Sequence, residues 1–252
     1  MRQPDRLGRI LEQLSSTGSV AVAELSGELG VSSATVRRDL ALLEDQRLLA
    51  RAHGGAVALG VLYELPLRYR GTRHHEEKAR IALAAVERVP EGVAIGMTGG
   101  TTTTEVARRL SDRSQLTVVT NSLNIASELA VRPNLKLVVT GGVARAESYE
   151  LVGPFAEAAL AALNLDIAII GVDGISVAAG LTTHHEVEAH TNRAMILRAR
   201  RVIVVADSSK VGQVAFARIC DLERVDEVIS DVDADPAVVM AIREAGIEMT
   251  LV

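Results

Sequence analysis

The sequence predicts two domains of different class: an α+β winged helix-turn-helix over residues 1–58, and an α/β domain with a mainly parallel sheet over residues 76–252, joined by a linker over 59–75. Three observations carry this prediction. The stretch from Leu29 to Ala56, LGVSSATVRRDLALLEDQRLLARAHGGA, has the apolar spacing of short helices around a glycine turn and closes on a Gly-Gly pair. From Val93 onward, short β-branched runs alternate with helical segments, the pattern of a parallel sheet buried on both faces. Small, hydroxylic and charged residues gather directly after those runs, where ligands bind in such sheets.

Taken in chain order, the N-terminal segment is a charged amphipathic helix with Leu7, Ile10, Leu11 and Leu14 on one face. Val22, Leu25 and Leu29 share a face of the next helix, Gly30 supplies the turn, and Val36, Leu40 and Leu43 form the stripe of the one after. Ser32 stands at its N-cap. Ser33, Ala34, Thr35, Arg37 and Arg38 lie at the end of this helix that meets base edges in the motif and favours phosphate. Ala34 and Arg38 point away from the stripe while Arg37 and Thr35 flank it, so one Arg can reach a guanine edge and the other a phosphate. The run Leu48 to Ala52, broken by Gly54 and Gly55 and resumed at Ala56 and Val57, reads as a hairpin wing carrying Arg51 and His53. The candidate DNA-binding residues are therefore Ser33, Thr35, Arg37, Arg38, Arg51 and His53. A three-helix bundle with solvated arginines is the plain alternative; turn, cap, Arg pair and Gly-Gly wing in this order favour a DNA reader.

Composition bounds the rest. The chain has 252 residues, 48% of them hydrophobic, so the part beyond the head can bury a core of its own. No apolar run approaches the ~18 residues of a membrane span, and the charged first helix is not a signal peptide, which predicts a cytoplasmic protein. Cys220 stands alone, so neither an intrachain disulfide nor a cysteine zinc site is expected. Aromatic residues make up 2%, too few for RNA-stacking platforms. Net charge is −5, and residues 1–56 hold seven Arg against seven acids. Affinity for DNA must then come from local placement and from paired half-sites, so the expected partner is double-stranded operator DNA, bound by a homodimer or higher homo-oligomer.

Residues 59–75, with Gly60, Pro66 and Gly71 and no period, read as linker; a helix from about His75 to Val89 follows, with Ile81, Ala85 and Val86 inward. The runs VAIGM, LTVVT, LKLVVT, DIAIIG, RVIVVAD, EVISD and IEMTLV are the strands. Gly99, Gly100, Thr101, Thr102 and Thr103 follow the first run and open a helix, offering backbone N–H groups, hydroxyls and a helix N-terminus to an anion. Thr120, Asn121 and Ser122 follow the second, Gly141 and Gly142 the third, Asp173 and Gly174 the fourth, and Lys210 the fifth. Anion donors, a cation and a carboxylate at one sheet edge suit a small polyhydroxy phosphate; the plain reading of any single loop is helix capping. Gly92, Gly96, Gly99 and Gly100 do not make the dinucleotide fingerprint and no P-loop is present, so no cofactor is implied. In the segment HHEVEAH, His185 and His190 are five apart, the wrong spacing for one helix face, and no metal site is expected.

The segment from Val20 to Ala56 resembles the winged helix of the DeoR family of bacterial transcription regulators, most specifically in VSSATVRRDL followed by HGGA. Two departures stand out: Ala21 where a capping residue is usual, and Arg47 where the family has Gly at the end of the recognition helix. The remainder resembles the sensor domain of the same family, which is similar in fold to ribose-5-phosphate isomerase. Gly100 to Thr103 match its phosphate-loop GTT motif, Thr120 to Ser122 its TNS motif, and Gly141 and Gly142 its GG turn. Asp173 and Gly174 match its acidic loop, Lys210 the AD-x-S-K motif, and Glu186 an acid after the GLT stretch. Met97 and Thr98 depart from the polar, acidic residue usual before GTT. The resemblance implies a phosphorylated sugar or sugar alcohol as effector, altered DNA binding as the response, and repression as the outcome.

A sugar-phosphate isomerase carrying a DNA-binding head is the competing reading. It needs a base and charged groups around an enediolate. The isomerase pattern D-G-A-D-E would put carboxylates three and four residues after Asp173, where this chain has Ser176 and Val177; Glu186 remains as a possible base. The sequence favours the regulator, with no catalytic residues.

Overall fold

A computed structural model describes residues 2–59, 66–70 and 74–252. The chain divides into two units, Met1–Arg73 and His74–Val252. No helix among the described residues is long and apolar enough to cross a membrane.

The first unit runs α1 (Gln3–Thr17), β1 (Ser19–Ala21), α2 (Val22–Leu29), α3 (Ser33–Asp45), β2 (Ala50–Ala52), β3 (Gly55–Val57) and α4 (Leu67–Arg70). Leu7, Ile10, Leu11 and Leu14 of α1 pack with Val22, Leu25 and Leu29 of α2 and Val36, Leu40 and Leu43 of α3 in one buried cluster. Each such side chain contributes on the order of 1.5–3 kcal/mol. The predicted wing is present as β2 and β3, and β3 also pairs antiparallel with β1, giving the order β1-β3-β2. Three residues are too few to show a period, which is why β1 escaped the sequence reading. Gly55 is required there: a Cβ on it would lie 1.9 Å from the Val20 carbonyl oxygen.

The two departures fall where the sequence placed them. Ala21 occupies the N-cap of α2 in extended geometry with no side-chain cap bond. Arg47 takes φ 57°, with its N–H donating to the Glu44 carbonyl at 2.8 Å and the Leu48 N–H to the Leu43 carbonyl at 3.0 Å. That is a Schellman end whose left-handed residue is Arg rather than Gly.

Within the segment expected as linker, residues 60–65 and 71–73 lie outside the described residues, Gly60 and Gly71 among them. The structure differs from a plain linker at α4, whose Leu67 and Tyr69 are buried. Tyr69 joins the head's core cluster, and its hydroxyl donates to Gln46 just beyond α3. Four residues with two apolar side chains carry no helical signature, so packing rather than propensity orders them.

The second unit runs α5 (His75–Glu87), β4 (Ala94–Met97), α6 (Thr101–Leu110), β5 (Thr117–Thr120), α7 (Leu123–Leu129), β6 (Lys136–Val139), β7 (Val143–Ala144), β8 (Leu151–Val152), α8 (Pro154–Ala161) and β9 (Leu165–Ile170). It continues with β10 (Gly174–Ser176), β11 (Gly180–Thr183), α9 (Glu186–Ile196), β12 (Ala199–Val205), β13 (Ala217–Cys220), β14 (Glu227–Ser230), α10 (Pro236–Glu244) and β15 (Glu248–Leu251). The seven predicted runs form one sheet in the order β15-β14-β12-β9-β4-β5-β6, every pair parallel. Both faces are buried: Ile167 and Ile169 of β9 face one apolar cluster, Ala168 and Ile170 the other. From β4 the chain adds β5 and β6 on one side, then returns to place β9, β12, β14 and β15 on the other. The order therefore reverses between β4 and β9, the place where such sheets open a crevice.

Polar groups at the amino edge brace the sheet. Fully buried Glu227 accepts from Arg88 Nε at 3.0 Å, Arg201 Nη2 at 2.7 Å and the Thr250 hydroxyl at 2.9 Å. The carboxyl edge carries the loops of interest, covered by the β7–β8 hairpin and by the small antiparallel sheet β10-β11-β13.

Candidate DNA interface and effector site

In the head, α3 is presented by a capped start and a buried ion pair. The Thr35 N–H donates to the Ser32 hydroxyl at 3.2 Å, the predicted N-cap. Asp39, 1% exposed, accepts from Arg6 Nε at 2.5 Å and Nη2 at 2.9 Å, so α1 grips the inner face of α3 with a two-point guanidinium contact. Arg37 and Arg38, next to Asp39, are both exposed, and among the described residues neither has a side-chain hydrogen-bond or ion-pair partner. Ser33 and Thr35 are half-buried at the start of the helix. On the wing His53 is exposed, whereas Arg51 is not free: its N–H donates to Glu44 Oε1 at 3.0 Å and its guanidinium lies 3.9 Å from Glu44 Oε2. Arg51 and Glu44 thus link the wing to α3. The Arg6–Asp39 pair and the Glu44 link were missed because a lone Asp after two Arg reads as surface charge.

In the second unit the loops expected to form the site surround the reversal point. The Gly171 N–H donates to the Thr98 hydroxyl at 2.9 Å, tying the loops after β4 and β9 together, and a Cβ on Gly171 would lie 2.8 Å from the Gly99 carbonyl oxygen. The unusual Thr98 thus holds two loops in register. A Cβ on Gly99 would fall 2.4 Å from Glu150 Oε1, so this glycine admits a buried carboxylate delivered by the β7–β8 hairpin. Gly100, at φ 127°, opens α6 without a side-chain cap. The Thr103 hydroxyl donates back to the Gly100 carbonyl at 3.0 Å, as Thr104 does at 2.6 Å. Of the hydroxyls expected to meet an anion, Thr103 is therefore engaged, while those of Thr101 and Thr102 have no partner among the described residues.

At the end of β5, the Thr120 hydroxyl donates to the Met97 carbonyl at 2.8 Å and accepts from the Ser122 N–H at 3.0 Å. Asn121 between them is fully buried, and neither its amide oxygen nor its amide nitrogen has a partner among the described residues. Gly141 and Gly142, at φ 70° and 128°, turn the chain into β7.

Beyond β9 lies a row of charges. Lys210 Nζ is 3.6 Å from Asp173 Oδ1, the Thr183 hydroxyl lies 3.0 Å from Asp173 Oδ2 and 2.9 Å from Glu188 Oε1, and Arg145 Nη1 is 2.5 Å from Glu188 Oε2. Two carboxylates flank one hydroxyl, and each is paired on its far side with a cation. The acid on α9 that faces this row is Glu188, 6% exposed, and not Glu186. Glu186 is the first helical residue, its side chain 62% exposed with His185 Nδ1 3.9 Å away. Two residues on a helix are about 200° apart, so the match to the GLT stretch selected the wrong face. Helical spacing of three, four and seven back from buried Thr191, Asn192 and Met195 would have selected Glu188. Arg145 lies on the β7–β8 connection, where no strand or helix period exposes its role. Among the histidines, His185 caps α9 through Nδ1 to the Val187 N–H at 3.3 Å, His184 lies 3.9 Å from Asp173, and His190 is exposed. At the positions where the isomerase pattern has carboxylates, the Ser176 hydroxyl accepts from the Ala179 N–H and Val177 is exposed.

Comparison with known proteins follows the same division. Residues 6–60 match the DeoR-like helix-turn-helix domain and residues 73–232 the DeoR C-terminal sensor domain. The chain is 36% identical, over 98% of its length and 93% of the relative's, to a putative aga operon transcriptional repressor of Escherichia coli O157:H7. It is 33% identical over the full length of both chains to the glycerol-3-phosphate regulon repressor of Escherichia coli K12. Among solved structures, ribose 5-phosphate isomerase A of Methanocaldococcus jannaschii superposes with a TM-score of 0.41 and 21% identity over 54% of each chain. Head, sensor and order of domains agree along essentially the whole sequence, and the chain belongs to the DeoR family of DNA-binding transcription regulators.

Proposed function

We propose that the second unit senses a small phosphorylated sugar or polyol and that its occupancy alters the head's affinity for operator DNA, with repression in the unliganded state. Asn121 is the observation that carries this reading. A fully buried primary amide without partners costs ~1–3 kcal/mol, and a ligand bearing both hydroxyl donors and acceptors removes that cost. Around it, the α6 N-terminus with Thr101 and Thr102 favours a phosphate, while Gly141, Gly142, Asp173 and Lys210 offer groups for hydroxyls. Among the relatives, one is named for the glycerol-3-phosphate regulon, which fits a ligand of this size. The head's equal numbers of Arg and acids support a homo-oligomer acting on paired half-sites. The reading assigns no catalytic residue: Ser176 and Val177 stand where the isomerase pattern has its carboxylates.

A thermal-shift screen against glycerol 3-phosphate, ribose 5-phosphate, fructose 6-phosphate and inorganic phosphate tests the site. A ligand at 100 times its Kd adds about 2.7 kcal/mol of stability. Asn121→Leu should abolish the shift while leaving DNA binding without ligand intact; a full shift in that variant, or turnover of any of these compounds, refutes the reading.

A further inference from the structure

A second buried ion pair lies behind the loops of the candidate site without belonging to it. Lys78 Nζ lies 3.7 Å from Asp207 Oδ2, with the two side chains 4% and 5% exposed. Asp207 stands between β12 and the 3₁₀ turn Ser208–Lys210, and its other oxygen accepts from the Ser209 N–H at 3.2 Å and from the Ser209 hydroxyl. The same turn is held by the Ser208 N–H donating to Asp231 Oδ2 at 2.7 Å, and it carries Lys210 to Asp173. One carboxylate therefore both shapes the turn that presents Lys210 and binds a cation on another element.

That element is α5, the first helix after the boundary with the head. It opens at His74, a non-glycine residue at φ 49°, and its Lys78 sits within the first turn. A cation at a helix N-terminus opposes the macrodipole, and a buried lysine bears a desolvation cost besides. Lys78 is nevertheless nearly inaccessible, so Asp207 fixes the position of the start of α5. The helix also packs along α6, the helix that opens with Thr101 to Thr103. Both sides of the candidate ligand site thus touch α5, one through packing and one through a charge.

We propose that the Lys78–Asp207 pair conveys occupancy of the ligand site to the start of α5, and so along the chain to the DNA-reading head. A ligand that draws Lys210 from Asp173 shifts the Ser208–Lys210 turn, Asp207 moves with it, and Lys78 carries the first turn of α5. Coupling of this kind needs the ligand to favour one of two positions of a connected element. The proposal rests on the effector reading above, and the test keeps the two apart.

The experiment uses the full chain with the screened compound that raises its melting temperature, read by operator-binding anisotropy and by thermal shift. In the Lys78→Met variant, DNA binding without ligand should stay within about threefold of wild type and the ligand-induced melting shift should persist. The ratio of operator affinities with and without ligand should fall to below twofold, and Lys78→Arg should restore it. A Lys78→Met protein that keeps the wild-type ratio overturns the proposal alone. A wild-type protein indifferent to every compound overturns the effector reading and the proposal with it. Hydrogen exchange on the wild-type chain needs no variant to fold: ligand should change the exchange of the Lys78 to Ala82 amides together with those of 208–212. A change confined to 208–212 overturns the proposal.

Discussion

At the scale of single residues, what decides function is which charges are already satisfied. Asp39 is neutralised by Arg6, and Arg51 leans on Glu44, but the exposed guanidinium groups of Arg37 and Arg38 have no partner among the described residues and remain for DNA. If one is bidentate to a guanine, its replacement by Ala costs ~1–3 kcal/mol and relaxes preference at one base pair, while loss of the phosphate-bound one weakens all sequences alike and flattens the salt slope. Gel shifts across several salt concentrations separate the two; full binding by the double Ala variant would refute the interface. Asp207 gives a pH dependence. Burial pushes its carboxyl up, but the Ser209 hydrogen bond and the charges of Lys78, His74 and Lys210 outweigh this and hold it below the ordinary value. A carboxylate lowered in the fold stabilises fully above its unfolded value near ~3.9, and that contribution fades as pH falls through the folded value. Removing the Lys78 charge by Lys78→Met lets the folded value rise toward the unfolded one, so the loss of stability on acidification should be smaller than in wild type. Urea unfolding between about pH 3 and 6 measures this.

At the scale of elements, helix ends and buried pairs carry the predictions. Arg47→Gly relieves a left-handed residue in the Schellman end of α3, and Ala21→Ser adds an acceptor at the N-cap of α2; each should stabilise the protein's head by ~0.5–1 kcal/mol in chemical denaturation. Asp39→Ala should cost ~3 kcal/mol or more, because it leaves the Arg6 guanidinium buried without its anion. Glu227→Ala should destabilise the second unit alone by a comparable ~3 kcal/mol, since its carboxylate joins Arg88, Arg201 and Thr250 at the edge away from the ligand loops. Regular elements were legible in the sequence because each repeats a period: all seven long-sheet strands and the head's three main helices fall on their predicted runs. The three-residue β1 and four-residue α4 were not, since long-range packing orders them. Loop positions after strands were legible through Gly and Thr usage, whereas Glu188, Arg145 and Glu150 were hidden. Their roles depend on which face of α9 turns inward and on a hairpin folding over the sheet edge.

At the scale of the whole molecule, the regulatory claim requires two positions of a connected element and not merely two domains. Lys210→Ala should leave unliganded operator binding intact and abolish the ligand's effect on it, because it removes the group the ligand draws on without removing the states. Parallel titrations of anisotropy and melting temperature check this, and an unchanged response would remove Lys210 from the site. The sheet order also has a consequence for synthesis. β4 is the first strand of the sheet to leave the ribosome, yet its neighbour β9 follows about 70 residues later, some 4–14 s at ~5–20 residues per second. For that interval β4 can pair only with β5, and its other edge, lined by Ile95, Gly96 and Met97, is an open template. Nascent chains arrested between β6 and β9 should therefore be the species that chaperones hold and that aggregates, while chains released beyond Ile170 have closed that edge.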